Sequence, residues 1–352
     1  MFPIIPANTA TASFPENDEG IFGYGYIVLS MTNLVSNAGV VSSDVAGVGT
    51  GRGYPAATQY GGDKGIFFGG ALGDPTYANL DETNLVSNTG VVSSGVTGIG
   101  TPRERLAACS YGGDKGIFGY GIATTPSSSL TNLVSNVGVL SSDVAGVGTV
   151  RYGLAACEYG GDKGIFGFGL ANPSLKVSMT NLVSNTGVVA SDVAGVGTVR
   201  YQLMACEYGG DKGIFGFGTS AGGASSITNL VSNAGVVASD QAATTGTGRA
   251  GLAACGYGGD KGILGYGSGG GVRSMTNLVS NTGVVSSDVA GVGTARYHLA
   301  ACEYGQDKGI FGFGVYNQSI TNLVSNTGVV SSDVAGAVGA TGRGYLAACS
   351  FN

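Results

Sequence analysis

Apolar and polar positions alternate in short runs along this chain, and the runs recur. In residues 164–169 (Gly-Ile-Phe-Gly-Phe-Gly) the period is two. Phe166 and Phe168 are expected on one face of a strand, with Ile165, Gly167 and Gly169 on the other. An aromatic face opposed to a glycine face suits stacked sheets, where rings of one sheet fill space left by glycines of the next. Residues 151–157 read as the strand before it. The turn between them, 159–164 (Tyr-Gly-Gly-Asp-Lys-Gly), supplies the positive or irregular φ values of a tight reversal. Residues 180–184 read as a third strand, Asn185-Thr186-Gly187 as a short hairpin turn, and 188–193 as a fourth strand. A glycine-rich link, 194–199, leads into the next unit. No segment combines a 3.6-residue period with a cap, so no long helix is expected.

The unit repeats. The segment Thr-Asn-Leu-Val-Ser-Asn begins at Thr32, Thr83, Thr131, Thr180, Thr228, Thr276 and Thr321. A spacing of about 48 residues lies in the range of propeller blades and helical arrays. The chain opens inside a unit, at 18–25, and finishes at 343–349 with the part that opening lacks. A closed ring uses such complementary ends, because the last strand pairs with the first broken unit and removes free edges. The expectation is an all-β, seven-bladed β-propeller of four-stranded blades over residues 18–352. Pairing of the C-terminal strand with the N-terminal partial blade closes it. Residues 1–17, rich in Pro, Ala and Thr, are expected to form an extended docking arm, with Phe2, Ile4, Ile5 and Phe14 as its apolar contacts.

Composition narrows the function classes. Length (352 residues) would admit two domains, but the repeat runs through nearly all of it, so one is expected. Charged residues are 11%, against about 25% in ordinary soluble domains. Glycine is abundant, yet the apolar 43% is strictly phased, which argues for a buried core over low complexity. The net charge is −6 with no Lys/Arg run, which argues against nucleic acid and anionic membranes as partners. No apolar run approaches the roughly 18–20 residues of a membrane span. No basic residue precedes Arg52, so a secretory signal is not expected and synthesis in a host cytoplasm is. Cys109, Cys157, Cys206, Cys255, Cys302 and Cys349 share one repeat position, with Thr58 in the seventh slot. That pattern reads as small buried apolar residues and not as a disulfide framework, since equivalent positions face neighbours and not each other.

Strand alternation puts the Gly-Gly-Asp-Lys and Asn-x-Gly turns on one face of the ring and the variable loops on the other. Those loops are 26–31, 71–82, 122–130, 170–179, 219–227, 268–275 and 315–320. Divergence among near-identical repeats is where a recognition surface is built, and Asp74, Tyr77, Lys176, Arg273 and Tyr316 are its candidate ligand contacts. The alternative is a set of relaxed loops with no ligand. One arginine enters the first strand of each unit: Arg52, Arg103, Arg151, Arg200, Arg249, Arg296 and Arg343. As a ring of donor forks they are candidates for the carboxylate, sulfate or phosphate of a glycan. The favoured reading pairs each with a nearby acid or carbonyl. Asp44, Asp143, Asp192, Asp240, Asp288 and Asp333 lie just upstream on the outer strands, and Gly95 breaks the set. Lysines in the turns read as solvated. The single histidine, His298, stands in a slot held elsewhere by Tyr54, Arg105, Gly153, Gln202, Gly251 and Tyr345, and reads as incidental. No catalytic, cofactor-binding or metal-ligating set is assigned.

These units resemble the kelch-type β-propeller. The match is Arg-x-x-x-small-small, then a glycine turn, an apolar strand ending in glycine, and two further strands, over about residues 18–352. The kelch double glycine is mostly Gly-Tyr/Phe-Gly here, with a true pair in Gly69-Gly70, and the family's outer-strand tryptophan is absent. The resemblance implies that the strand carrying Arg and Ala-Ala-Cys is innermost, beside a central channel. The opening Pro3-Ile4-Ile5-Pro6-Ala7-Asn8-Thr9 is similar to the first residues of some structural proteins of tailed phages. That implies a non-enzymatic virion component, attached to tail or capsid. Its partners would be other virion proteins, through the arm, and a host-surface glycan. A polysaccharide lyase or hydrolase, and a purely architectural spacer, are the alternatives.

Overall fold

The computed structural model of the chain describes residues 18–351, apart from 27–28, 74–75, 124–126, 172–173, 242–245, 317 and 336–339. The docking residues Phe2, Ile4, Ile5 and Phe14, and the loop residue Asp74, lie outside the described residues. The described chain is all-β. It holds no helix, and so none long and apolar enough to cross a membrane.

Each repeat contributes to one three-stranded antiparallel sheet. In one of them, Ala155–Tyr159 is the inner strand, Lys163–Gly167 the middle and Thr180–Val183 the outer. Ala155 faces Gly167, and Gly167 faces Thr180. The same order recurs in six further sheets. One of these joins distant parts of the chain: Ala347–Phe351 pairs with Glu19–Gly23, placing Cys349 opposite Ile21. The pairing expected between the closing and opening segments is therefore present.

The core lies between successive sheets. Glycines make the close approach possible, because the aromatic ring of one sheet occupies the place of a missing side chain on its neighbour. A Cβ on Gly167 would stand 2.6 Å from the Phe215 ring, and one on Gly312 would stand 2.7 Å from Phe22. The thiols fill smaller gaps of the same kind. A Cβ on Gly213 would meet Cys157 Sγ at 2.6 Å. All six cysteines are buried and free, and burial pushes the Cys206 and Cys349 thiols up to about 12.

Three local expectations are corrected. Phe166 and Phe168 do not share a face. Phe168 lies just past the strand end at φ +63°, which turns its ring onto Phe215 (5.2 Å between centroids), while Phe166 packs with Ile117 and Tyr120. The first strand does not run through 151–157. Gly153, at φ +60°, interrupts it, and Arg151–Tyr152 pairs instead with the loop residues Leu170–Ala171. The fourth strand is reduced to isolated bridges, such as Val35 to Val41 and Thr32 to Val45. What every repeat shares there is an asparagine side chain bonded to the facing carbonyl, as Asn181 is to Ala190 at 3.0 Å, and most repeats add a serine. Asn33 Nδ2 donates to the Ser42 carbonyl at 3.0 Å, and Ser42 Oγ accepts the Leu34 N–H in its place at 2.9 Å. A ladder rung is thus made by a side chain and the backbone departs from strand geometry.

Candidate functional site

The repeat arginines are framework. All seven have 0% exposure. Arg200 Nη2 donates to Asn229 Oδ1 at 2.5 Å and Nη1 to the Thr198 carbonyl at 3.2 Å, with Asp240 at 3.7 Å. Asp240 in turn accepts from Thr198 N–H and Oγ. The guanidinium lies 4.6 Å over the Phe168 ring of the preceding sheet, so each arginine ties two sheets together. Burial lowers Arg200 to about 10, against the pull of Asp240. A ligand reaches these groups only by displacing that network.

The pairing partner differs from the one the sequence suggested. Arg151 pairs with Asp192, and Arg200 with Asp240, some forty residues downstream; the acid just upstream serves the preceding arginine. Each arginine precedes the inner strand of a sheet, its Asn lies on the outer strand of that same sheet, and its Asp follows that strand. The last of them, Arg343, bonds Asn33 and faces Asp44 near the start of the chain. Gly95 leaves no gap. Glu82, buried at 3%, sends its carboxylate into the vacated place, accepting Thr50 N–H at 2.9 Å and facing Arg52 at 3.6 Å.

The position two residues after each arginine behaves differently. It holds Tyr54, Arg105, Gly153, Gln202, Gly251, His298 and Tyr345, all with φ between +50° and +61°. Their backbones form a cyclic chain of hydrogen bonds. Tyr54 N–H donates to the Tyr345 carbonyl, Arg105 to Tyr54, Gly153 to Arg105, Gln202 to Gly153, Gly251 to Gln202, His298 to Gly251, and Tyr345 to His298. The left-handed conformation, costly for the five non-glycine residues, is held by this chain. It places all seven side-chain positions on one rim.

Their chemistry is segregated around that rim. Arg105 lies 4.5 Å over Tyr54, Tyr54 is 4.3 Å from Tyr345, and Tyr345 stacks on His298 at 4.0 Å. Tyr297 and exposed Tyr316 extend the series outward at 4.7 and 5.9 Å. Gly153, Gln202 and Gly251 leave the other arc open. The rim surrounds a cavity of 430 Å³ whose floor is Pro55 and leucines such as Leu154 and Leu203. Burial, and then the charge of Arg105, lower His298 to about 4, so its imidazole is neutral at physiological pH. A second cavity of 260 Å³ shares Tyr54 and Arg105 and adds Tyr26, Tyr77, Asn79 and Glu104.

Of the loop candidates, Tyr77 lines this second cavity and Tyr316 ends the aromatic series. Lys176 sits 5.5 Å over Tyr201, and Arg273 donates to the Gly269 carbonyl at 3.4 Å; neither lines a cavity described here. The loops are tied down, with Ala71 bridging both Gly53 and Asn79, and Tyr201 bridging Thr219. On the turn face each lysine meets its neighbouring aspartate, as in Lys115 to Asp114 at 3.1 Å. At the opposite end of the inner strands, Glu158, Glu207 and Glu303 line a 210 Å³ cavity, where burial raises Glu158 to about 7. Among the described residues no group of three acid, His or Cys side chains is placed to hold a metal.

Sequence reading set His298 aside because its slot varies. The variation was itself the signal, since that slot converges on one rim. No family model matches the chain, and no curated protein does.

Proposed function

We propose that residues 18–352 are a seven-bladed β-propeller acting as a non-enzymatic binding protein, with its ligand site at the rim formed by Tyr54, Arg105, His298 and Tyr345. Supporting the propeller are the seven equivalent sheets, the pairing of the last strand with the first, and the cyclic backbone chain. The observation that carries the binding role is the convergence of the varying slot on one aromatic-walled cavity. Scaffold selection alone gives no reason for strands that otherwise keep their residues to differ at this slot, where all seven meet. Tyrosine faces with a few polar groups suit the C–H faces and hydroxyls of a sugar, so the ligand class is a host-surface glycan. The kelch-like repeats and phage-like opening residues supply the setting, a virion component on tail or capsid, with residues 1–17 docking to other virion proteins.

Full-length protein is incubated with glycans extracted from candidate host cells, beside Tyr54→Ala and Tyr345→Ala variants. Saturable binding that the variants lose is the expected result. Equal binding by the variants moves the site away from the rim. The stacked Tyr345–His298 pair in the wall of the larger cavity is the observation for one second reading, a polysaccharide lyase or hydrolase. New chain ends in the incubated glycan would establish it.

A further inference from the structure

We infer that this site takes an acidic oligosaccharide, not a single neutral sugar, seated across the Tyr54–Arg105 ridge; the inference rests on the binding role proposed above. The chain has nine arginines, and Arg105 differs from the others. The seven framework arginines donate to Asn or Asp side chains and Thr carbonyls, and Arg273 donates to Gly269. The Arg105 guanidinium donates no hydrogen bond to any described residue. Its side chain is 38% exposed, against 0% for the framework arginines, while the buried Nε without an acceptor is common to all nine. Glu104 is the one acid lining either cavity, and it approaches Nε at 3.7 Å, beyond hydrogen-bond distance. The guanidinium carbon lies 4.5 Å over the Tyr54 ring, which holds the fork in place while neither terminal nitrogen donates to a described residue. An oxyanion, a planar carboxylate or a tetrahedral sulfate, presents two oxygens to the fork and supplies the missing acceptors in a paired geometry. The neutral state of His298 nearby leaves Arg105 as the only positive group on the rim.

Length follows from the shared wall. Ligand pockets for drug-sized molecules run to about 300–1,000 Å³. The cavities here are 430 and 260 Å³, and both are lined by Tyr54 and Arg105. A chain of two or more sugars crosses the ridge and uses both, with its charged group at Arg105 and a further ring against Tyr26 and Tyr77.

Calorimetric titration of the full-length protein tests this with three probe series of one to four residues: oligogalacturonates (carboxylate), sulfated galactan oligosaccharides (sulfate) and cello-oligosaccharides (neutral). The expected result is an affinity for one acidic series roughly tenfold or more above the neutral one, rising between one residue and two. Which acidic series binds identifies the oxyanion. Arg105→Gln should cut that affinity roughly tenfold, toward that of the neutral series. The fold tolerates this change, because Gln202 occupies the equivalent slot with the same φ of 53°. Tyr77→Ala should weaken only the longer probes. Equal binding of acidic and neutral probes, or an unaffected Arg105→Gln, overturns the inference and leaves the binding role standing. Monomers as tight as tetramers overturn the two-cavity part. Failure of every probe overturns the inference together with the glycan role.

Discussion

The Glu82–Gly95 exchange predicts a pair of damaging substitutions that cancel. Six sheets place an aspartate opposite the framework arginine; the seventh has Gly95 there and lends Glu82 from the residue before the outer strand. Replacing Glu82 by Met, the residue at 31, 179 and 275, removes the acid facing fully buried Arg52. It also removes the acceptor of Thr50 N–H at 2.9 Å. Breaking one side of a buried pair costs about 3–5 kcal/mol; the contact is 3.6 Å and not a close hydrogen bond, so the low end, about 3 kcal/mol, applies. Gly95→Asp alone should also destabilise. Its Cβ would fall 2.0 Å from Glu82 Oε1, bringing overpacking of about 1–3 kcal/mol and a second carboxylate to one arginine. The double variant restores the arrangement of the other six sheets, and its stability should return to within about 1 kcal/mol of the parent, a coupling at or above the usual range of about 0.5–3 kcal/mol. Urea unfolding followed by tyrosine fluorescence reads this directly, since the chain has 17 Tyr and no Trp. With m of about 1–3 kcal/mol/M, the Glu82→Met midpoint should drop by roughly 1–3 M. A double variant as unstable as the sum of the singles would refute the account of Glu82 as a replacement acid.

Three further outcomes are expected. Because His298 is unique, its ring-proton NMR signal should titrate near pH 4, and Arg105→Gln should raise that midpoint by removing a nearby positive charge. The depressed value means that the unfolded chain binds the proton more readily, so stability should fall as pH drops from about 6.5 toward 4, and His298→Gln should flatten that slope in thermal melts. Gly167→Val should cost about 1–3 kcal/mol by driving a side chain into Phe215, and Phe215→Leu should recover part of it, as Leu264 already faces Gly216 in the equivalent place. Deleting 347–352 removes the partner of Glu19–Gly23 and leaves that edge open, so size-exclusion chromatography should show self-association where the full chain shows none.

Period-two strands, the glycine turns and the seven anchors are local patterns, so the all-β class, the middle and outer strands and the pairing of the chain ends were legible in the sequence. So was the aromatic-against-glycine packing, because a missing side chain and a ring at the same repeat position constrain each other. What alternation could not foresee was where it breaks: Phe168 and the rim residues take positive φ, and that turns them out of the strand pattern. The arginine partners were misplaced because each arginine reaches across its own sheet to the outer strand and the acid beyond it, some forty residues downstream, while the acid nearest in sequence belongs to the preceding sheet. The candidate site was the least legible. Tyr54, Arg105, His298 and Tyr345 lie far apart in the chain and look like drift at one tolerant position, one repeat at a time. The sequence by itself determined the middle and outer strands and which residue types they bury, since both follow from contacts repeated in every unit. Only the tertiary structure decided that the varying slot of Tyr54, Arg105, His298 and Tyr345 meets itself on a common rim, because that contact exists only when all seven units are assembled.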